Sequence, residues 1–511
     1  MAKESKKDII LKNGAAGLLA RMTFIIVQYL IQVATLWYIG VEVVGIRASI
    51  TSVLSTLSLT ELGFQSAVTF YLYEPLNIQD YKKINSIMEI LKWIYRFIGC
   101  FLIMLSLIIL PFLKYILKGV DINGAVVGYF LLLSLNSAFT YFIGYKRVLL
   151  FADRREYISK SVDCLFSITA GIISLITIMV FRNYMLVLIF EMMETIGSNI
   201  VIQRLCKRRY PFLDKVRFDK SLFHFIVKDV NNIFFGKLAA YVYGSTDNLI
   251  ISFFKGAVYV GYLSNYKMFF SALTSVINSL FVAMTPIIGN MLINSDHKNK
   301  KEVDFRCYSY IRYFIASLVV IPLVLSGNDL IALFFGRRFV LSQWIVILLA
   351  ADLYIAVVYA PCCEYLYANG EFRTDRNIAI AGALINIGVS VICLHCWGMA
   401  GVLLGTLVSQ IFFWMSRGGI VYFNVFKMDM KAFRKYGLKN LLWLSVMAVT
   451  VVLAGHIKKG FVADNLLISI VITFGICEIL NILVQIVLLH FTEEQIQLIK
   501  TVRSKYELRQ K

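Results

Sequence analysis

Apolar stretches of about twenty residues recur from one end of this chain to the other, separated by short polar and basic breaks. In hydrocarbon, every N–H and C=O must find its partner within the segment, so each stretch reads as a membrane-crossing helix. The composition agrees. Of 511 residues, 59% are hydrophobic and 16% charged, against about 25% charged in ordinary soluble domains. A water-soluble enzyme, a disordered chain and a fibrous chain are excluded. The expected fold is all-α: a polytopic membrane protein with about fourteen spans. They fall near residues 14–39, 43–71, 88–112, 125–150, 160–181, 185–203, 229–254, 258–288, 308–326, 341–368, 377–396, 400–425, 440–456 and 465–490.

Lys and Arg number 51 against 31 Asp and Glu, a net +20. In a soluble protein such an excess suggests nucleic acid; in this one the bases crowd the breaks between spans. With the N-terminus inside, roughly three-quarters of them fall on the inner side, at 3–12, 154–155, 204–228, 298–312, 427–439 and 500–511. Both ends are therefore expected in the cytoplasm. The outer connections are short, the longest near 326–340. The start is polar and basic and the first apolar stretch is too long for a signal sequence, so no cleaved signal is expected. The nine cysteines are mostly isolated in apolar stretches, a pattern of buried thiols and not of a disulfide framework.

The domain map is 1–203, a six-helix bundle; 204–228, a basic cytoplasmic linker; 229–426, a second six-helix bundle; 440–490, an additional helix pair; and 491–511, an amphipathic cytoplasmic tail. In that tail Thr492 can cap a helix with Gln495 three residues on, and Ile496, Ile499, Val502 and Tyr506 form its apolar face. An internal repeat supports the two bundles. Gly40 and Gly45 flank four residues at the turn between the first and second spans; Gly256 and Gly261 do the same between the seventh and eighth. A tight hairpin needs a residue free to take positive φ. Gly398 and Gly401 are a weaker relative between the eleventh and twelfth spans.

Five bases lie inside spans: Arg21, Arg47, Lys237, Lys267 and Arg417. A base at the bilayer centre costs about 2.5–3.5 kcal/mol on insertion scales, so such residues turn toward a polar interior. Four of them sit on polar stripes with steps of three, four and seven residues, which keep side chains on one helix face. The stripes are Arg21, Gln28, Gln32, Thr35; Arg47, Thr51, Ser55, Ser58, Gln65, Thr69; Lys237, Tyr241, Ser245, Asn248, Ser252; and Ser264, Lys267, Ser271, Thr274, Asn278. They occupy the first two helices of each half. Lining a wet cavity between the halves, they would make it cationic and suited to a phosphate or diphosphate. The plainer reading is that a long basic side chain snorkels to the interface; it is assigned to Arg417, near the cytoplasmic end. Asp247, at the edge of the seventh stripe, and Glu61 are candidates for ion coupling or gating. Asp163, Glu191, Glu194, Asp352, Glu364 and Glu478 are scattered.

Cys393 and Cys396 flank His395 with metal-like spacing, but no second ligand pair follows, and a structural zinc needs four ligands; no metal is expected. No glycine-rich phosphate loop occurs, so neither a built-in ATPase nor a cofactor is expected.

Several motifs together resemble the oligosaccharide (polysaccharide repeat-unit) flippases of the MOP superfamily, relatives of the lipid II flippases and the MATE exporters. Thr60-Glu-Leu-Gly-Phe-Gln-Ser-Ala67 is similar to the family's D-L-G-hydrophobic-x-x-A, with Glu61 in place of the usual acid. Ser245-Thr-Asp-Asn-Leu-Ile-Ile-Ser252, followed by Val260-Gly-Tyr262, is similar to its pattern across helices seven and eight. Pro286 and Phe334-Phe-Gly-Arg-Arg-Phe339 match two further positions. The resemblance implies two six-helix bundles in a V and alternating access of a lipid-diphosphate-linked sugar. In its lipid II branch, bases on helices one, two and eight matter, where Arg21, Arg47 and Lys267 fall here. The last helix pair helps form a lipid-tail groove in that branch.

The expected function is thus a flippase, not an enzyme. It would move undecaprenyl-diphosphate-linked oligosaccharide repeat units across the bacterial cytoplasmic membrane for surface polysaccharide. Arg21, Arg47, Lys237, Lys267, Gln28 and Asn248 would contact substrate. Membrane lipids, and a polymerase with its export machinery, are the expected partners; nucleic acid is not. The rival readings are a cation-coupled MATE-type drug exporter, which would prefer acids in its cavity, and a membrane-embedded polymerase, which would carry a large external loop.

Overall fold

The computed structural model describes residues 6–57, 64–214, 216, 219–220, 222–224, 246–281, 284, 288, 291–292, 298–460, 465–489 and 495. These are almost wholly helical, and no strand occurs among them. The chain forms two compact units, Met1–Ser264 and Asn265–Lys511.

The first unit holds α1 (Lys6–Tyr38), α2 (Val41–Leu57), α3 (Phe64–Ile78), α4 (Tyr81–Ile109), α5 (Gly124–Gly144), α6 (Glu156–Phe181) and α7 (Tyr184–Arg209), and ends within α8 (Ala257–Ser279). Local chemistry sets the helix starts. Asp80 accepts from the Lys83 N–H at 3.0 Å ahead of α4, and Asn123 from Val126 N–H ahead of α5, each satisfying a donor the first turn leaves open. Helix α1 packs along α6, α5 bridges α4 and α7, and α6 lies against α7. Their shared core includes Ile87, Leu91, Phe130 and Val187.

The second unit holds α9 (Lys298–Phe334), α10 (Gln343–Val358), α11 (Ala360–Ala368), α12 (Phe372–Trp397), α13 (Met399–Ile420), α14 (Met430–Gly460) and α15 (Leu466–Leu489). Gly401 and Gly405 form a G-x-x-x-G pair on α13. A Cβ on Gly401 would collide with the Cys393 carbonyl, and one on Gly405 with the Ser390 side chain, so α13 and α12 approach backbone to backbone. Helix α9 packs on α10, α14 and α15.

The repeat glycines have two separate uses. Gly40 (φ 136°) and Gly256 (φ 108°) take the left-handed backbone the hairpins demand. Gly45 and Gly261 instead let α2 and the start of α8 cross in contact. A Cβ on Gly45 would strike the carbonyl oxygen of Ala257, and a Cβ on Gly261 that of Val41.

Among the described residues eleven helices are long and apolar enough to cross a membrane. The expected spans outside that set are the second, seventh and eighth, each of which carries one of the polar stripes. Helices also outrun the expected spans, because a base ends an apolar run without ending a helix. Helix α9 covers Lys298–Phe334 where 308–326 was expected, so the connection expected at 326–340 is largely helical.

Candidate functional site

The α2 stripe begins at Arg47, and the structure gives this base partners on two other helices. Its Nη1 donates to Glu191 Oε1 at 2.8 Å and to the Tyr184 hydroxyl at 2.6 Å, both on α7; Nη2 reaches Gln28 Oε1 on α1 at 3.5 Å. Gln28 and Arg47 thus meet as their stripes require. Glu191, one of the scattered acids of the sequence, is the counter-charge that makes a half-buried guanidinium tolerable.

One turn along α7, Glu194 faces a second polar site. This is a pocket of about 410 Å³ lined from α1 by Arg21, from α6 by Lys160 and Asp163, and from α7 by Glu194, Thr195 and Asn199. Arg147 reaches it from a short helix after α5. Its two Nη groups hold the Asp163 carboxylate at 2.7 and 2.8 Å, and its Nε donates to Asn199 Oδ1 at 2.7 Å. Three bases against two acids leave the pocket with a net positive charge, and its hydroxyls and amides can bind a polyol or anion. Arg21 therefore lines a different site from the one that holds Arg47 and Gln28.

Sequence reasoning missed Arg147, because a base at the end of a span reads as a loop charge. The three-residue spacing of Glu191 and Glu194, which puts both on one face of α7, was the available signal. Residues 246–254 are also helical and lie in this unit. There Asn248 donates to Ser52 on α2 at 3.1 Å, and Asp247 is 5% exposed. Lys237, Glu61 and Pro286 lie outside the described residues, as does the tail apart from Gln495, which donates to the Tyr310 hydroxyl.

In the second unit Lys267 is half-buried on α8. Its stripe ends at Asn278, which accepts from Arg312 Nη1 at 3.0 Å. Arg312 also pairs with Glu364, bonds the Tyr308 hydroxyl and stacks 3.8 Å from the Phe281 ring, beside a cavity of about 260 Å³. Its position in the sequence places it among the cytoplasmic bases of 298–312, but it is 1% exposed and lies in the core of the second unit. Arg417 also departs from expectation. It does not snorkel: it is 6% exposed, donates to Asp375 Oδ1 at 2.7 Å and lies over the Phe413 ring at 4.8 Å. In each case a nearby acid removes the cost that would otherwise drive the side chain to the interface.

Ionisable side chains on membrane helices turn to the bundle interior and pair with one another, as these arginines do. The polysaccharide biosynthesis protein family matches residues 10–292. The chain belongs to that family. No curated protein matches it. Among solved structures it is similar to the lipid II flippase MurJ in an inward closed conformation, at 14% identity and a TM-score of 0.67. That likeness covers 94% of this chain and 98% of the flippase. It is similar too to an inward-facing multidrug resistance MATE family transporter of the MOP superfamily, at 15% identity and TM-score 0.61, over 80% of this chain and 98% of that one. A third likeness is to the Vibrio cholerae MATE transporter VcmN in its bent form, at 14% identity and TM-score 0.51, over 84% and 98%. This member of the polysaccharide biosynthesis family thus shares its helical fold with these flippase and transporter structures.

Proposed function

We propose that this protein carries an undecaprenyl-diphosphate-linked oligosaccharide repeat unit from the cytoplasmic to the outer leaflet of the bacterial cytoplasmic membrane, for O-antigen, capsule or exopolysaccharide synthesis. The family membership over residues 10–292 carries the reading. The basic pocket of Arg21, Arg147 and Lys160 supports it, since a diphosphate or an acidic sugar needs such donors. The two six-helix bundles, 1–203 and 229–426, would expose a polar interior alternately to the two membrane faces. Arg21, in the basic pocket, would hold the head group, and Arg47, Lys237 and Lys267, with Gln28 and Asn248, would contact the substrate elsewhere along its path, while the polyprenyl tail stays in the bilayer. Asp247 and Glu61 would couple or gate the step, driven by the membrane potential or an ion gradient. Both termini would be cytoplasmic, and a polymerase and export machinery would take the product.

The test is surface polysaccharide in a producing strain deleted for this gene. Wild type restores it, and the Arg21→Ala/Lys267→Ala double variant, expressed at the same level, does not. Full restoration by the double variant rejects the assigned head-group site. The likeness to MATE transporters favours one alternative, export of small molecules; a deletion strain with altered drug susceptibility and normal polysaccharide would select it.

A further inference from the structure

Glu478 stands at the middle of α15, with about 17 Å of helix on either side, too far for a glutamate to reach a membrane surface. An acid at that depth is costly until it finds a partner. Among the described residues it forms no ion pair and no hydrogen bond. The other polar side chains of α15 are answered within the unit. Asn481 and Gln485 donate to the Ser317 hydroxyl on α9 at 3.0 and 2.9 Å, and Gln485 accepts from the Tyr310 hydroxyl at 3.1 Å. Thr473 donates to the Ser469 carbonyl. Those groups are buried on the face turned to α9, and Glu478 lies half-buried at the edge of the opposite face.

That opposite face is open. Val471 is 62% exposed and Ile482 44%. Gly475, just under one turn before Glu478, is exposed too, and a Cβ there would meet nothing within 4 Å. Val471, Gly475, Glu478 and Ile482 follow in steps of four, three and four, the seam along which two helices pack. Small residues on such a seam let membrane helices approach closely, and a polar side chain beside them bonds across.

Depth decides what meets Glu478. The partner must present a hydrogen-bonding group at the same level of the bilayer. A base on a different protein would itself be costly there. A second copy supplies the group by symmetry: in a two-fold dimer with its axis along the membrane normal, each seam residue faces its own copy at its own depth. Two carboxyl groups then satisfy each other, each O–H donating to the other's carbonyl oxygen, and the two glycines admit the approach.

We propose that α15 is a dimerisation helix: two copies of this chain pack along Val471, Gly475, Glu478 and Ile482, with the two Glu478 carboxyl groups hydrogen-bonded to one another. The interface is separate from the basic pocket of the first unit and does not depend on what the protein transports.

The test uses the full-length chain with one fluorophore at its N-terminus, reconstituted in phosphatidylcholine vesicles over a range of protein-to-lipid ratios. Photobleaching steps count the copies that travel together. Wild type should pass from one step to two as density rises. Glu478→Leu should raise the density at half-dimerisation about five- to thirtyfold, the worth of one hydrogen bond between membrane helices. Glu478→Gln keeps a donor and an acceptor and should stay within about twofold of wild type. Gly475→Leu should weaken the dimer by filling the approach. A wild type that stays single at every density overturns the proposal, and so does a Glu478→Leu variant that dimerises as wild type does. A loss in Glu478→Gln as large as in Glu478→Leu overturns the carboxyl pair in favour of an ionised glutamate held by a base of the other copy. Leucine favours the helix and takes no bond from within the unit, and the wild-type density series needs no variant at all.

Discussion

Gly45 and Gly261 face one another across the crossing of α2 and α8, their backbones in contact, each placed five residues after its own hairpin glycine. The repeat visible in the sequence is therefore also a packing unit: the second glycine of each copy admits the backbone of the other copy.

Alanine at either position inserts a methyl against a carbonyl oxygen, which cannot move without its helix. Gly45→Ala and Gly261→Ala should each cost about 1–3 kcal/mol as overpacking. Thermal unfolding of the purified protein reads the loss. Gly437→Ala, on an open face, should leave the melting temperature within a degree or two of wild type or raise it.

Arg47 and Glu191 form a pair between α2 and α7 at 2.8 Å. Removing either should cost about 1.5–3 kcal/mol, the range for hydrogen bonds to charged groups. A double-mutant cycle with Arg47→Ala and Glu191→Ala should show coupling of at least about 1 kcal/mol. Strict additivity would mean that the pair does not form in the membrane.

Arg312 and Glu364 lie deeper. Arg312→Met alone strands a buried carboxylate and should cost about 3–5 kcal/mol, whereas Arg312→Met with Glu364→Gln should recover a large part of it. Melting of the three proteins in one detergent separates these outcomes. A double variant no better than the single one would show that Arg312 matters through its stacking on Phe281.

Tyr210, just past α7, donates to Asp153 at 2.6 Å. Burial, and then that bond to a carboxylate, push its hydroxyl well above the ordinary tyrosine range. The unfolded chain ionises there near pH 10 while the folded chain keeps the proton, so folding loses stability as pH rises beyond about 10. Tyr210→Phe should be less stable than wild type at pH 8 and lose less on going to pH 11. Parallel losses in the two proteins would contradict the assignment.

The polar faces of α2 and α8 could be read from residue spacing because a helix repeats every 3.6 residues, although Gln65 and Thr69, expected on one helix with Arg47, lie on α3, and Gly40 and Gly256 could be read from the hairpins that require them. The charge on each base was legible too. Its neutralisation was not. Arg47 finds Glu191 at 144 positions' remove, and Arg312 finds Glu364 at 52. Arg417, which spacing alone sends to the interface, is held inside by Asp375.

Hydropathy and periodicity belong to one helix at a time, so the chain's amino acids determine by themselves that it spans a membrane as helices and which faces of them are polar. Which polar face meets which, and so which cations are spent on structure and which line a pocket, depends on the angles and offsets at which distant helices pack. Those are set by where glycines such as Gly45, Gly261, Gly401 and Gly405 let backbones touch, and that is decided only in the assembled bundle.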